Sequence, residues 1–197
     1  IARSTTLAPI LNRPIEDEIA ADGLIACKPG CSYCCYLRVR AFALEIVGIY
    51  LYLHETLSDE ELSETKNRIK AQYEVIKSLS REEHLTKNVA CPLLVNNLCS
   101  VHKVRPLACS GYHSANVEPC KDSFEHPELD EINDQHPGIP MVASIKGQQD
   151  MQVEVARQVI ESQGDYSAQY ELISALNQVF AYPTIVQKWK SGRKAFK

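Results

Sequence analysis

The chain has 197 residues, of which 45% are hydrophobic and 23% are charged, a balance typical of a globular protein with a sizeable core and not of a disordered chain. Its net charge of −4, from 21 basic and 25 acidic side chains, excludes the strongly basic surface that broad nucleic-acid binding needs. The most apolar run, residues 41–53, is shorter than the roughly 20 residues that cross a bilayer, so no membrane span is predicted.

The first helices are predicted from their caps and apolar spacing. A short helix is expected to start near Pro14, because three acidic residues follow it and acidic groups favour the positive end of a helix. Residues 43–53 are apolar around most of a helical wheel, so this helix should be mostly buried. Ser58 and Glu61 form a capping-box pattern that opens a third helix running to about Leu79.

Residues 89–127 have an irregular pattern. Prolines, a glycine and Asn96-Asn97 interrupt them, and no periodic segment exceeds one or two helical turns. A loop region of this length needs a source of order other than regular secondary structure. All eight cysteines lie between Cys27 and Cys120, and metal ligation by them would supply that order.

The last zone, residues 139–197, contains no cysteine and has a helical pattern. Helices are predicted over residues 148–162 and 167–180, and a short final helix is predicted from Pro183. The first of these carries an apolar stripe of Met151, Val155 and Val159, with Ala156 and Ile160 alongside. We therefore expect one domain over residues 1–197, mainly α, with helices wrapped around an irregular, metal-organised cysteine-rich loop core at 27–125.

The cysteine spacing favours a soft metal. Thiolates two or three residues apart in a tight turn can converge on one tetrahedral ion. The Pro29-Gly30 turn brings the first cysteines round towards the next pair, and the Asn96-Asn97 turn returns the chain so that Cys99 can approach Cys91. The predicted metal ligands are all eight cysteines: Cys27, Cys31, Cys34, Cys35, Cys91, Cys99, Cys109 and Cys120.

Two other interpretations of the cysteines are disulfide bonds and inert buried thiols. An even count of cysteines fits four disulfides in a secreted protein. However, a chain of this length does not need covalent cross-links, and neighbouring cysteines such as Cys34 and Cys35 form a disulfide only with poor geometry. The first 25 residues also carry scattered charges, unlike a signal peptide. Metal ligation is the favoured interpretation, and a cytoplasmic location is expected.

Three separated motifs resemble the YkgJ-type cysteine-cluster family, whose members are described as zinc- or iron-chelating proteins. The motifs are Cys27-x3-Cys31-x2-Cys34-Cys35, Cys-Pro-Leu-Leu at 91–94, and Cys99-Ser-Val-His-Lys-Val-Arg-Pro-Leu-Ala-Cys109. They occur in order over about residues 27–112. His102 stands where the family usually has Tyr, and Ser110 stands where an Arg is usual. Neither departure removes a thiol, and Cys120 lies outside the core pattern.

The resemblance implies metal ions as partners, with zinc, iron or an iron–sulfur cluster as the cofactor. It also extends to flagellin lysine-N-methylases, although no glycine-rich loop for S-adenosylmethionine is present in this chain. All-thiolate ligation suits zinc and iron–sulfur equally. His102 and His113 have plausible zinc spacings but are surplus beside eight thiols. Basic residues near the thiols could offset thiolate charge or simply be solvated: Lys28, Arg38, Arg40, Lys103 and Arg105.

The chain shows no recognisable catalytic set, because serine-hydrolase, metalloprotease, phosphate-loop and dinucleotide motifs are all absent from the sequence. Our first hypothesis is therefore a metal-binding protein that chelates zinc or iron through its cysteines. A second hypothesis is an iron–sulfur-dependent modifying or redox enzyme, and a third is a zinc-stabilised protein-interaction module. The sequence leaves the metal, its number, and any substrate or partner open.

Overall fold

The computed structural model describes residues 25–129, 139–162 and 168–196, so the helix predicted near Pro14 lies outside the described residues. The predicted mainly helical architecture is confirmed. The helices are α1 (Ala43–Thr56), α2 (Asp59–Ile76), α3 (Arg81–Thr86), α4 (Leu107–Ser110), α5 (Glu118–Glu125), α6 (Ala143–Ser162), α7 (Leu172–Ala181) and α8 (Thr184–Lys190). None of the helices in these ranges has the length and apolar content to cross a membrane.

Four short strands form two antiparallel pairs. They are β1 (Arg40–Phe42), β2 (Leu94–Val95), β3 (Leu98–Cys99) and β4 (Gln169–Glu171). β1 pairs with β4 in the register Ala41 opposite Tyr170, and β2 pairs with β3 across a two-residue turn. Single 3-10 turns at Tyr33–Tyr36, His102–Val104 and Pro127–Leu129 connect the remaining segments.

The main core lies between α1, α2 and α7. Residues 43–53 are largely buried, as predicted, and α7 packs against both α1 and α2. Burying one large aliphatic side chain stabilises a fold by roughly 1.5–3 kcal/mol, so this three-helix contact contributes much of the stability. The predicted cap of α2 is confirmed: the Ser58 hydroxyl accepts a hydrogen bond from the Glu61 backbone N–H, and the Glu61 carboxylate accepts one from the Ser58 N–H.

The irregular segment is anchored to this core by isolated apolar side chains. Leu93 and Val101 are each only 1% exposed and belong to the same hydrophobic cluster as α1 and α7. Leu107, at the start of α4, is buried in a second cluster with Phe42. Apolar burial therefore orders residues 89–127, whereas the metal-organised core that we predicted is not shown and stays a prediction.

Two predicted helices differ in detail from the observed ones. The helix predicted over residues 167–180 begins only at Leu172, because Gln169–Glu171 pairs with β1 as a strand. Such pairing depends on a strand more than 120 residues away and leaves little local signal. The Glu171 carboxylate then caps α7 by accepting hydrogen bonds from the N–H groups of Ile173 and Ser174.

The second difference concerns the face that α6 buries. The first part of the predicted apolar stripe is not buried, because Met151 is 63% exposed and Val155 is 51% exposed, whereas Ala156 and Ile160 beside it are buried. The neighbouring face is buried instead, where Ala156 and Ile160 pack on Phe42 and Leu107. The helix also starts at Ala143 and not at residue 148. The apolar residues of α6 lie on two adjacent faces of the helix. The contact with β1 and α4 determines which of the two faces is buried.

Gly111 permits the close approach of α4 and α6. It caps the C-terminus of α4 and is buried. A Cβ atom at this position would overlap with the Cβ and Cγ atoms of Gln149 on α6. Because these atoms lie near the α6 backbone, they cannot swing away as the end of a long side chain can. The glycine is therefore required by packing and not by a turn.

We expect Gly111→Ala to destabilise the protein by about 1–3 kcal/mol, since the added methyl group forces α4 and α6 apart. Gly147→Ala, within α6, is the matched control, because a Cβ there meets nothing within 4 Å. That control should be neutral or up to about 1 kcal/mol more stable, owing to the better helix propensity of Ala. Urea unfolding of both variants measures the difference, and equal midpoints would contradict the packing role of Gly111.

Candidate metal centre

The first cysteine segment is folded by two consecutive tight turns. Gly30 has a φ of +91°, a conformation that favours glycine, and the Cys31 N–H donates to the Lys28 carbonyl at 2.9 Å. The predicted turn at Pro29-Gly30 is therefore confirmed. A 3-10 turn at Tyr33–Tyr36 follows and holds Cys34 and Cys35 side by side. The short spacing thus places four thiols within ten residues of compact backbone.

The second segment is a hairpin joined to the first segment by its backbone. Asn96 and Asn97 have φ values of 51° and 59°, as expected for a hairpin turn of the kind that asparagine favours. The turn pairs Leu94 with Cys99, so Cys99 returns towards Cys91 as predicted. The Cys91 N–H donates to the Cys35 carbonyl at 2.8 Å, which fixes the hairpin against the first thiols.

The third segment contributes two cysteines, Cys109 on α4 and Cys120 on α5. The 3-10 turn at Tyr33–Tyr36 packs directly against α5, where Cys120 is buried and its thiol donates to the Asn116 carbonyl at 3.8 Å. The Ala26 N–H donates to the Ser114 carbonyl at 2.9 Å and ties the start of the first segment to the chain between α4 and α5. Residues distant in sequence are thereby gathered around the Cys34-Cys35 pair.

The thiols form one electrostatically connected set. All eight are free, so none is consumed in a disulfide. Cys34 influences thiols from every segment, because a charge on its sulfur would raise the pKa of Cys27, Cys91, Cys99, Cys109 and Cys120. The remaining two members are linked to the same set: Cys31 acts on Cys27 and Cys120, and Cys35 hydrogen-bonds to Cys34.

Burial and the neighbouring cysteines raise the pKa of six of these thiols. The pKa of Cys34 is raised by its hydrogen bond with Cys35 and then by burial. Burial raises the pKa of Cys91 to about 12 and that of Cys109 well above its ordinary value, with the charges of neighbouring cysteines adding to both shifts. Burial is also the main cause of the raised pKa at Cys27, Cys99 and Cys120.

Arg105 is the basic residue that the structure brings to the thiols. Its charge opposes part of the rise in pKa at Cys27, Cys34, Cys99 and Cys109. The guanidinium also lies 3.1 Å from His102 Nε2 and 3.4 Å from His113 Nε2, so both histidines contact the arginine. Of the other predicted basic neighbours, Arg40 donates to the Gln169 carbonyl, and Lys28, Arg38 and Lys103 are exposed.

Cysteine thiols are suitable ligands for zinc or an iron–sulfur cluster, although they are not already arranged around one metal position. Within the ranges that the structure describes, no three cysteine, histidine, aspartate or glutamate side chains stand so that they could hold a metal ion together. The chemistry of the set nevertheless matches zinc and iron–sulfur, which take cysteine sulfur as ligand. The eight cysteines therefore remain predicted ligands that share one neighbourhood.

Glu45 is a positioning residue that the sequence analysis missed. It is 7% exposed, and its two carboxylate oxygens accept hydrogen bonds of 2.7 Å from the backbone N–H groups of Phe42 and Leu107. The first bond caps α1 and the second caps α4, which carries Cys109. The available signal was an acidic residue interrupting an apolar helix at its third position, a place where a carboxylate can reach back to the helix start.

Burial raises the pKa of Glu45 to about 6, against the lowering effect of its two backbone hydrogen bonds. Because the folded pKa lies above the ordinary value of 4.5, the folded state binds this proton more tightly than the unfolded state. We therefore expect the contribution of Glu45 to the free energy of unfolding to fall by about 2 kcal/mol as pH rises from about 4.5 to above 6. Glu45→Gln should remove that component, as measured by urea unfolding across this pH range.

Glu61→Gln is the control for this pH dependence. The pKa of the exposed Glu61 is lowered by its hydrogen bonds with Ser58, so its contribution has the opposite sign and is lost as pH falls. If wild type and Glu45→Gln lose stability in parallel between these pH values, Glu45 is not the buried, proton-binding group described here.

The fold and this cluster define a mainly helical protein with a cysteine-rich candidate metal centre. The family model for CxxCxxCC, described as "Putative zinc- or iron-chelating domain", matches residues 26–134, more than half of the chain. The chain belongs to this family, which confirms the predicted resemblance. No curated protein and no solved structure matches the chain.

Proposed function

We propose that this protein chelates zinc or iron through a centre made only of cysteine thiolates. The proposal is supported by eight free thiols that come from three segments, with Cys34 influencing the pKa of thiols in each of these segments. Zinc and iron–sulfur clusters share a preference for cysteine sulfur. The family description points to the same two metals. Membership and donor chemistry therefore agree on the class of ligand.

The ligands would come from all three segments. The turns of the first segment contribute four thiols, the hairpin contributes two, and α4 and α5 contribute one each. Eight thiolates suffice for two four-coordinate zinc sites, or for one four-iron cluster with four thiols left over. Since no three donors in the described residues are ready to coordinate, binding would draw the thiols together. A bound ion would cross-link the segments and replace their protons.

Metal binding at such a centre depends on nearby positive charge that balances the negative charge of the thiolates. Four thiolates around a divalent ion carry a net charge of about −2. The Arg105 guanidinium influences the pKa of four of the thiols and contacts the Nε2 atoms of His102 and His113. It would therefore stabilise the thiolate form of the centre without itself binding the ion. This arrangement favours Arg105 as a positioning and charge-balancing residue.

Metal content is the direct test. We expect anaerobically purified protein to contain either about one or two zinc ions per chain and no colour, or iron with acid-labile sulfide and a brown colour. Cys34→Ser should lose a substantial part of that metal, because it removes the thiol that influences cysteines of all three segments. Ser32→Ala, in the same turn, is the matched control and removes only an exposed hydrogen bond to Asn97. Wild-type protein that holds neither metal after anaerobic reconstitution would contradict the proposal.

A second prediction concerns Arg105. Arg105→Gln removes the positive charge and should weaken metal binding by about tenfold or more, the usual cost of losing a neighbour that orients or balances metal ligands. Lys103→Gln removes an equal charge two residues away from an exposed side chain and should have little effect. Competition with a chromophoric chelator measures both affinities. Equal losses in the two variants would indicate only a general effect of protein charge.

The same metal analysis separates the two other hypotheses. An iron–sulfur-dependent enzyme requires iron and sulfide, whereas a zinc-stabilised interaction module requires zinc.

We further propose that residues 1–197 form one domain. The shared hydrophobic core supports this, because it combines residues from Ala41 to Phe196.

A further inference from the structure

A cavity of about 240 Å³ opens beside the thiol cluster. One wall is the 3-10 turn Tyr33–Tyr36 with the two residues after it, and the opposite wall is α5. Asn88 closes one side, because its amide donates to the Phe124 carbonyl at 2.6 Å and fixes α5 to the chain after α3. The volume lies just below the roughly 300–1,000 Å³ of typical ligand pockets, so it suits a small molecule.

The apolar part of the cavity is aromatic. The Phe124 ring packs against Tyr36, with ring centroids 4.8 Å apart, and against Tyr33 at 5.6 Å. Leu37, Pro127 and Ile139 add aliphatic surface. Aromatic side chains bind planar apolar groups by offset stacking and edge contacts. The cavity therefore offers a flat apolar group a surface of matching shape and character.

The polar groups at this cavity are mainly donors. Arg38 and Lys87 line it, and none of the described lining residues is acidic. The Lys87 ammonium group forms an exposed ion pair with the Glu83 carboxylate at 3.0 Å. The Arg38 guanidinium makes no hydrogen bond or ion pair within the part of the chain that the structure describes. Five unused N–H donors in a planar fork match a carboxylate or phosphate.

Cys34 and Cys120 complete the wall and connect the cavity with the candidate metal centre. An occupant of the cavity would therefore lie against the thiols with its charged end at Arg38.

We propose that this cavity binds a small organic anion, consisting of a planar, ring-sized apolar body and a carboxylate or phosphate group held by Arg38. The aromatic wall receives the ring, and the unpaired guanidinium receives the anionic group. Such a site goes beyond metal chelation, because it adds an organic ligand next to the thiols. It stands on the cavity and its donors alone, and it does not require that the thiols hold a metal.

Benzoate and phenyl phosphate are suitable probes, and benzyl alcohol is an uncharged control of similar shape. We expect either anion to bind the purified protein saturably, with amide chemical-shift changes centred on residues 33–38 and 120–124. Benzyl alcohol should bind at least about tenfold more weakly, because it lacks the group that the guanidinium holds. Comparison of the two anions shows whether the site prefers a carboxylate or a phosphate.

Arg38→Gln should weaken binding of the preferred anion by about tenfold or more, since the side chain keeps its length but loses its charge and its fork. Arg157→Gln, which alters an exposed arginine on α6 that does not line the cavity, should bind as wild type does. The proposal is wrong if neither anion binds saturably, if the shifts centre on the basic residues 188–194, or if Arg38→Gln binds as tightly as wild type.

Discussion

The buried carboxylate of Glu45 is the interaction on which the arrangement of the site depends. Its two oxygens satisfy the backbone N–H groups that begin α1 and α4. Leaving either donor buried and unpaired would cost about 1–3 kcal/mol, which is large beside the small net stability of a domain. The bond to Leu107 also places α4 in the correct orientation, and α4 carries Cys109 towards the other thiols. One acidic residue thus couples the core helix to the candidate metal centre.

Around that link, the cysteine-rich region is ordered by a few strong local constraints. Leu93 and Val101 are buried in the main core, and backbone hydrogen bonds join Cys91 to Cys35 and Ala26 to Ser114. These contacts hold the thiols near one another even though the pKa of six of them is raised there. Burial disfavours the thiolate form that metal binding needs. Arg105 acts against this effect, because its charge favours the ionised form of four cysteines.

Local patterns predicted those parts of the fold that local physics controls. The capping box at Ser58, the buried helix over residues 43–53 and the turns at Gly30 and Asn96-Asn97 follow from short-range hydrogen bonds and backbone preferences. The prediction was wrong where a distant contact decides. Gln169–Glu171 is a strand because β1 lies beside it, and α6 buries Ala156 and not Val155 because Phe42 and Leu107 lie on that side.

At the candidate site, residue type and short spacing were enough to predict the family, the eight thiols and the turns that bring several of them back on themselves, because these features are local. The folded chain was needed to show that Cys34 influences thiols of all three segments and that Arg105 is the charge beside them. It also decided that Glu45 sets the position of α4 and that an aromatic cavity opens beside Cys34 and Cys120. The physical reason is that each of these features joins segments far apart in sequence, whose contact depends on how the apolar faces of the helices pack.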